Sequence, residues 1–156
     1  MNLQNILSPE FIKMNLKAGD KNEAFKELVN HYCKMDNSSS YDQILDAVVK
    51  REAKMSTGIH KGIAVPHGRT EAVEKICGVV GISEKGVQYD SLDGEPVHII
   101  FMIVAPSDDS DNFLWMLKHL AQLIEIPQFK TELLSQKDPQ SAFNVICKFE
   151  QTLSGK

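Results

Sequence analysis

Val97-His-Ile-Ile-Phe-Met-Ile-Val-Ala105, written VHIIFMIVA, is the clearest strand candidate in the chain. Its residues are apolar at both odd and even positions, apart from His98. A strand with this pattern is buried on both faces, so we expect it at the centre of a sheet covered on both sides. Pro106 should end the strand, and Ser107-Asp-Asp-Ser110 supplies residues that cap the start of a helix.

Helical periodicity follows this strand to the end of the chain. The spacing predicts a helix that is broken near Pro127, a short helix over Pro127–Leu134, and a last helix that begins at Asp138-Pro139. The apolar positions that define the two longer helices are Phe113, Leu117, Leu120 and Ile124, and then Phe143, Ile146 and Phe149.

The residues before the central strand alternate between strand and helix patterns. Strands are predicted over Phe11–Leu16, Ile63–Val65 and Ile76–Ile82. One helix should begin at Asp20, supported by Glu23, and a second at Ser40 with Gln43 as a capping box. Helices and strands mixed in one short chain indicate an α/β or α+β fold, with helices packed around a central sheet.

Composition limits the class of protein. At 156 residues and 42% hydrophobic, the chain suits a single domain with one buried core. No apolar stretch approaches the ~20 residues that span a bilayer, and the N-terminus lacks a signal-peptide pattern, so we expect a cytoplasmic protein without membrane insertion. The net charge of −4 argues against a nucleic-acid partner. Cys33, Cys77 and Cys147 are spaced as reduced, mostly buried thiols.

Common nucleotide, hydrolase and metal motifs are absent. The spacing of Gly81 and Gly86 resembles a phosphate-binding loop, but the Lys and Ser/Thr that should follow are missing. No G-x-S-x-G elbow occurs. His60 and His67 lack a third metal ligand at a telling spacing, so we predict neither a metal nor a cofactor.

The segment Gly62-Ile-Ala-Val-Pro-His-Gly-Arg69 places a histidine between a proline and a glycine. Pro66 fixes its own φ and holds Val65 extended, while Gly68 removes side-chain bulk beside the imidazole. The local chain therefore indicates a rigidly presented His67 with one ring nitrogen open. An exposed turn histidine fits the same pattern.

Other residues in the same region could bind an anion. Arg51 lies over the apolar stripe of its helix and needs an anionic partner, which could be a functional phosphate or a structural carboxylate. Gly58 and Gly62 permit close approach of backbone N–H groups, and Ser56 and Thr57 add hydroxyl donors. Capping and turn bonding are the alternative roles of those two hydroxyls.

Such a group of residues suits reversible phosphorylation on nitrogen. A neutral imidazole has a pKa near 6.5 and is nucleophilic at cytosolic pH without a separate base. The transition state of phosphoryl transfer spreads charge over the equatorial oxygens, so cations and N–H donors assist it.

The run R-E-x-x-x-S-T-G-I-x-x-G-I-A-V-P-H-G resembles the active-site signature of the IIA domains of the sugar phosphotransferase system, in the fructose/mannitol class and its nitrogen-regulatory branch. The early I-L-S-P-E segment, the D-G-x-P-V-x-I-I-F-x-I-V-A-P strand and the L-x-x-L-x-x-L-A helix are similar as well. The resemblance covers nearly the whole chain, and we predict one type-2 IIA domain over 1–156.

The resemblance implies a fold and a site. The fold would be a single-domain α/β sandwich with a mixed, mostly parallel sheet of about five strands flanked by helices. His67 would accept a phosphoryl group from the phosphocarrier protein HPr or its nitrogen-branch counterpart, and Arg51 would contact the phosphate. The onward partner would be a cysteine of a IIB domain in transport, or a regulatory target protein in the nitrogen branch.

Two positions depart from the family pattern. The second active-site histidine of the family is replaced by Phe113, which cannot donate a hydrogen bond to phosphate. His119, six residues later, points elsewhere and is expected to be half-exposed. His60 and Lys61 stand where relatives commonly carry Gly-Asn; they are either substitute phosphate contacts or solvent-exposed loop residues.

Three functions remain open from the sequence. The stand-alone chain and the STGI wording favour a nitrogen-regulatory phosphocarrier. A sugar-transport IIA component is the first alternative. A protein-interaction module that no longer transfers phosphate, because of Phe113, is the second.

Overall fold

The computed structural model describes residues 1–58 and 61–154. In this part of the chain, five strands form one sheet: β1 Ile12–Lys13, β2 Ile63–Ala64, β3 His67–Arg69, β4 Cys77–Val87 and β5 Val97–Ala105. Over the same residues, the α-helices are α1 Lys21–Asp36, α2 Tyr41–Glu52, α3 Ser110–Ile124, α4 Phe129–Leu134 and α5 Pro139–Ser154. Single 3₁₀ turns cover Leu3–Asn5 and Pro9–Phe11.

β5 is the central strand of the sheet, as its apolar sequence predicts. It pairs antiparallel with β4 on one side and parallel with both β2 and β3 on the other, while β1 pairs parallel with the far edge of β4. Three of the four pairings are therefore parallel. The predicted mixed, mostly parallel five-stranded sheet in a single α/β domain is confirmed.

Side chains of β5 alternate between two hydrophobic layers. Ile99, Phe101 and Ile103 lie in the layer formed with α3, α4 and α5. Ile100 and Met102 lie in the layer formed with α1 and α2. Because each layer is closed by helices, the sheet is covered on both faces, and its edges are where polar side chains can reach solvent.

Several helix boundaries follow the predicted caps, and one cap is wrong. The Asp20 carboxylate accepts a hydrogen bond from the Glu23 N–H at 2.9 Å, which caps α1 as expected. α2 begins directly after Ser40, but the Ser40 side chain makes no capping hydrogen bond. The capping-box prediction therefore fails, although the helix start is right.

The predicted strands differ from the observed ones at their ends. β1 is only two residues long, because Phe11 lies in a 3₁₀ turn and Asn15 takes a left-handed conformation with φ 54°. β4 runs five residues beyond the predicted Ile82 end. Pairing of Val87 with Val97 across an irregularity in the ladder extends it through a polar stretch that local pattern would assign to a loop.

The helices of the described residues are each too short or too polar to cross a bilayer. Cys33 is buried, whereas Cys77 and Cys147 are half-buried, and all three are free thiols.

Candidate active site

His67 lies at the first position of β3, on the edge of the sheet. β3 pairs with β5 so that His67 is opposite Ile103, and the Ile103 N–H donates to the Pro66 carbonyl at 3.0 Å. Pro66 itself is buried. The backbone on both sides of the imidazole is thus fixed, and the side chain is half-buried. His67 therefore lies half-buried in a paired strand and not in an exposed turn.

The orientation of the imidazole is set by its own backbone. Nδ1 of His67 lies 2.7 Å from the carbonyl oxygen of Val65. A carbonyl only accepts, so Nδ1 must carry the proton and donate it. The neutral ring then has its lone pair on Nε2, which is the nitrogen able to act as a nucleophile.

Gly68 allows α2 to contact β3 closely. A Cβ at this position would lie 2.8 Å from the Ala47 carbonyl carbon and 3.0 Å from the Val48 nitrogen, closer than real Cβ atoms approach backbone. The requirement for glycine therefore comes from helix packing. This packing brings the C-terminal end of α2, with Arg51, next to His67.

Arg51 is half-buried in the last turn of α2, and its Nη1 donates to the Met55 carbonyl at 2.9 Å. Within residues 1–58 and 61–154 it forms no ion pair with a carboxylate. Its positive charge acts on His67, whose pKa it lowers. The sequence left Arg51 with either a phosphate or a structural carboxylate as its partner, and no such carboxylate is found among these residues.

The pKa of His67 is lowered from 6.5, first by burial of the ring and further by the Arg51 charge. The hydrogen bond to the Val65 carbonyl and the nearby Glu52 carboxylate act in the opposite direction. The net effect keeps the imidazole neutral at pH 7. A neutral ring with its lone pair on Nε2 is the nucleophilic form.

Glu52, which sequence reasoning did not single out, organises the loop after α2. It is 7% exposed and accepts from Thr57 twice, from the N–H at 2.9 Å and from Oγ1 at 2.6 Å. Lys21 Nζ lies 3.1 Å from the same carboxylate, and the Tyr89 hydroxyl lies 2.7 Å from Thr57 Oγ1. The sequence did offer one indication of its importance, since Glu52 directly follows Arg51 in the quoted signature.

Ser56, Thr57 and Gly58 lie in the loop that Glu52 holds. Both donors of Thr57 are engaged by Glu52, so Thr57 fixes the loop instead of offering a hydrogen bond to an anion. The Gly58 N–H donates to Ser56 Oγ at 3.2 Å, and that bond does not use the Ser56 hydroxyl proton. Of the two predicted hydroxyl donors, Ser56 is the one that can still donate to an anion.

The structure describes the segment that contains Gly62 from Lys61 onward. Gly62 has φ 74°, and its carbonyl accepts from the N–H groups of His98 and Ile99 at 2.7 and 3.1 Å. Gly62 therefore joins the loop to the start of β5. Lys61 is exposed. His60, the other predicted substitute contact, lies outside the described residues.

Phe113 occupies the place beside His67 where the resemblance implies a second histidine. The centroids of the two rings are 5.7 Å apart, and Phe113 is buried at 6% exposure. Arg69, two residues after His67, has its guanidinium carbon 5.7 Å from the same phenyl centroid. The sequence assigned no role to Arg69, because its local pattern did not predict the strand that places Arg69 on the same face as His67.

His119 is not the half-exposed histidine that we expected. It is 8% exposed, its Nε2 lies 2.7 Å from Glu150 Oε2, and its ring stacks on Trp115. A buried carboxylate on α5 therefore holds it in the core. The same carboxylate oxygen accepts from the Leu3 N–H at 2.6 Å, so the pair joins α3, α5 and the N-terminus.

The other histidines outside the site have backbone partners. His31 Nε2 lies 2.8 Å from the Glu10 carbonyl oxygen, and His98 Nδ1 lies 2.9 Å from that of Ser83. Across residues 1–58 and 61–154, three or more His, Cys, Asp or Glu side chains do not gather into a group that could hold a metal ion.

A known family model matches most of the chain. Residues 5–148 match the family model described as phosphoenolpyruvate-dependent sugar phosphotransferase system, EIIA 2. The chain belongs to this family. The match covers both the signature around His67 and the helices that flank the sheet, in agreement with the resemblance seen in the sequence.

Relatives within the EIIA type-2 family carry two kinds of name. The chain is 31% identical over 146 residues to the PTS system fructose-specific EIIABC component of Bacillus subtilis (strain 168), covering 94% of this chain and 23% of that protein. It is 26% identical to the nitrogen regulatory protein of Bradyrhizobium diazoefficiens, covering 94% of this chain and 95% of that one. The chain thus spans under a quarter of the first relative and nearly all of the second.

Solved structures of EIIA proteins have the same fold. The crystal structure of nitrogen regulatory protein IIA-Ntr from Neisseria meningitidis matches with a TM-score of 0.85 and 25% identity, over 92% of this chain and 98% of that one. IIA mannitol from Escherichia coli matches with a TM-score of 0.74 and 20% identity, over 90% of this chain and 98% of that one. At that identity the second likeness shows the fold alone.

Proposed function

We propose that this EIIA protein is a cytoplasmic phosphohistidine carrier in which Nε2 of His67 accepts a phosphoryl group from an HPr-like phosphocarrier protein. The observation that supports this most directly is the 2.7 Å contact between Nδ1 and the Val65 carbonyl, which leaves the lone pair on Nε2. The lowered pKa of His67 keeps the ring in that form at pH 7.

The transfer step requires one bond to form and one to break. The Nε2 lone pair of His67 forms the new P–N bond while the P–N bond of the donor phosphohistidine breaks. The donor imidazole takes back that electron pair and keeps the proton on its other nitrogen, so it leaves neutral. The proton stays on Nδ1 of His67, which donates it in a hydrogen bond to the Val65 carbonyl throughout, and no external base is needed.

Arg51 would stabilise the transferring group. Its guanidinium presents donors in a fork that matches phosphate oxygens, and it forms no ion pair with a carboxylate of residues 1–58 or 61–154. Ser56 Oγ and backbone N–H groups near Gly58 and Gly62 would complete the contacts. Since the transition state is loose, positioned cations and N–H donors supply most of the catalysis.

Within this role we favour the nitrogen-regulatory branch. The support is the likeness to proteins of that name over nearly their whole length: the nitrogen regulatory protein of Bradyrhizobium diazoefficiens is 26% identical, and IIA-Ntr from Neisseria meningitidis is 25% identical with a TM-score of 0.85. Phosphorylation would then add between one and two negative charges at the edge of the sheet and change binding of a regulatory target protein.

Sugar transport is the second candidate. The fructose-specific relative from Bacillus subtilis is 31% identical to the chain. A solved complex of enzyme IIA-Mtl with phosphorylated enzyme IIB-Mtl from Escherichia coli has a IIA chain of this fold. If this candidate is correct, the phosphoryl group of His67 passes to a IIB cysteine.

The test is reconstitution with phosphoenolpyruvate, the general phosphotransferase enzyme and HPr. Acid-labile, base-stable label on the wild-type protein, absent from His67→Ala, supports the carrier. Absence of label from the wild type overturns it and favours the interaction module. In a labelled sample, addition of fructose- and mannitol-class IIB domains separates the two branches: label that moves to IIB supports transport, and label that stays supports regulation.

A further inference from the structure

The chain contains 17 lysines and arginines, and only two of them, Arg51 and Arg69, are arginines. Arg51 lies at the end of α2 and acts electrostatically on His67. Arg69 lies in the same strand as His67 and contacts the same phenyl ring. Arginine binds phosphate through a planar fork of donors, which lysine lacks. Both arginines of the chain are therefore at the candidate site.

His67 and Arg69 are directed to the same side of the sheet. They are two residues apart in β3, so their side chains share a face, and the intervening Gly68 faces the backbone of α2. On the face that His67 and Arg69 share, away from α2, the ring of Phe113 from α3 lies 5.7 Å from the imidazole centroid and 5.7 Å from the Arg69 guanidinium carbon. Phe113 thus has the imidazole and the guanidinium as neighbours.

The Arg69 guanidinium is held in place by hydrogen bonds from only one of its three nitrogens. Nη2 donates to the Ser107 carbonyl at 2.5 Å and to Ser110 Oγ at 2.6 Å. Nη1 and Nε have no hydrogen-bond partner among residues 1–58 and 61–154, and no carboxylate of those residues pairs with Arg69. These two hydrogen bonds hold the guanidinium at the start of α3 and leave its Nη1 and Nε N–H groups able to donate to an anion.

We propose that Arg69 contacts the phosphoryl group on His67 and supplies the positive, hydrogen-bonding side chain that Phe113 cannot supply. This inference rests on the proposed phosphohistidine function. Phe113 then packs beside both the imidazole and the guanidinium, and the second contact comes from β3 in place of α3. Arg69 would act on the phosphoryl oxygens during transfer and in the phosphohistidine that results.

The experiment measures the initial rate of phosphorylation by HPr and the lifetime of phosphohistidine in wild type, Arg69→Ala and Arg69→Lys. Removing one preorganised donor from a transferring group typically costs about 10²-fold. Because Arg69 is solvent-exposed, we expect roughly a tenfold or larger loss in rate for Arg69→Ala and a smaller loss for Arg69→Lys. Lys118→Ala, an exposed cation on α3, is the matched control and should stay within twofold of wild type.

Two further variants separate a phosphate contact from a structural role. Ser110→Ala removes one anchor but keeps the guanidinium, so it should lose less rate than Arg69→Ala; an equal loss would show that Arg69 only holds the start of α3. Phe113→His in the Arg69→Ala background should restore phosphorylation, since it returns a donor to the site. ³¹P NMR should show a higher pKa of the phosphoryl group in Arg69→Ala.

The outcomes distinguish this inference from the proposed function. If wild type takes no label on His67, the phosphocarrier function fails first. If wild type is labelled and Arg69→Ala matches it in rate, lifetime and phosphoryl pKa, the role of Arg69 is overturned and the carrier stands.

Discussion

Nδ1 of His67 lies 2.7 Å from the carbonyl oxygen of Val65, two residues earlier in the chain. One local hydrogen bond thereby determines the tautomer of the imidazole and the direction of its nucleophilic nitrogen. Pro66, between the two residues, holds the backbone in the geometry that the bond requires.

The tautomer can be observed directly. ¹⁵N–¹H NMR of the imidazole should show Nδ1 protonated and Nε2 unprotonated at pH 7.5, with a His67 pKa below 6.5 because burial disfavours the charged ring. Arg51→Ala should raise that pKa, since it removes a like charge, while slowing phosphorylation. Lys54→Ala, an exposed cation three residues later, is the control. A protonated Nε2 at pH 7.5 would contradict the assignment.

Stability should depend on pH through His67. Its folded-state pKa is lowered, so between that value and 6.5 the unfolded chain binds more protons than the folded one. The stability associated with neutral His67 is fully present above pH 6.5 and is lost as pH falls through that window. Urea unfolding of wild type and His67→Gln at several pH values measures this. The wild type should lose stability on acidification faster than the variant; parallel curves would rule out the contribution.

Gly68→Ala should push α2 away from β3. The added methyl would lie 2.8 Å from the Ala47 carbonyl carbon, and overpacking of this kind costs about 1–3 kcal/mol. The displacement moves Arg51, so phosphorylation of His67 should slow as well. Gly19→Ala is the matched control, because a Cβ there meets only Glu23 Oε1 at an ordinary 3.7 Å. Denaturant unfolding and labelling rates check both effects, and wild-type values for Gly68→Ala would refute the packing argument.

Glu52→Gln should loosen the loop that leads to His67. The buried carboxylate accepts two hydrogen bonds from Thr57 and pairs with Lys21. The amide keeps one acceptor oxygen and leaves Lys21 without its counter-charge, which we expect to cost about 1–3 kcal/mol. Hydrogen exchange at the Thr57 amide should accelerate. Glu132→Gln, which breaks the more exposed pair with Lys148, is the comparison and should change stability by under ~1 kcal/mol.

Local patterns predicted the features that depend on neighbouring residues. The apolar run of β5 correctly predicted its central position, and Asp20 and Pro139 correctly predicted the starts of α1 and α5. Two failures were local, the Ser40 capping box and the C-terminal end of β1. Two others occurred where contacts between distant segments decided the outcome. β4 is longer than its apolar segment because it pairs along β5, and His119 is buried because Glu150 on another helix accepts its hydrogen bond.

The sequence by itself determined that His67 is presented on a stiff backbone, because proline and glycine act through the bonds next to them. Only the tertiary structure decided which groups surround that histidine. Arg51 reaches it through the contact between α2 and Gly68, and Phe113 of α3 contacts both the imidazole and Arg69 of β3. These positions follow from the packing of segments far apart in the chain, which residue spacing does not encode.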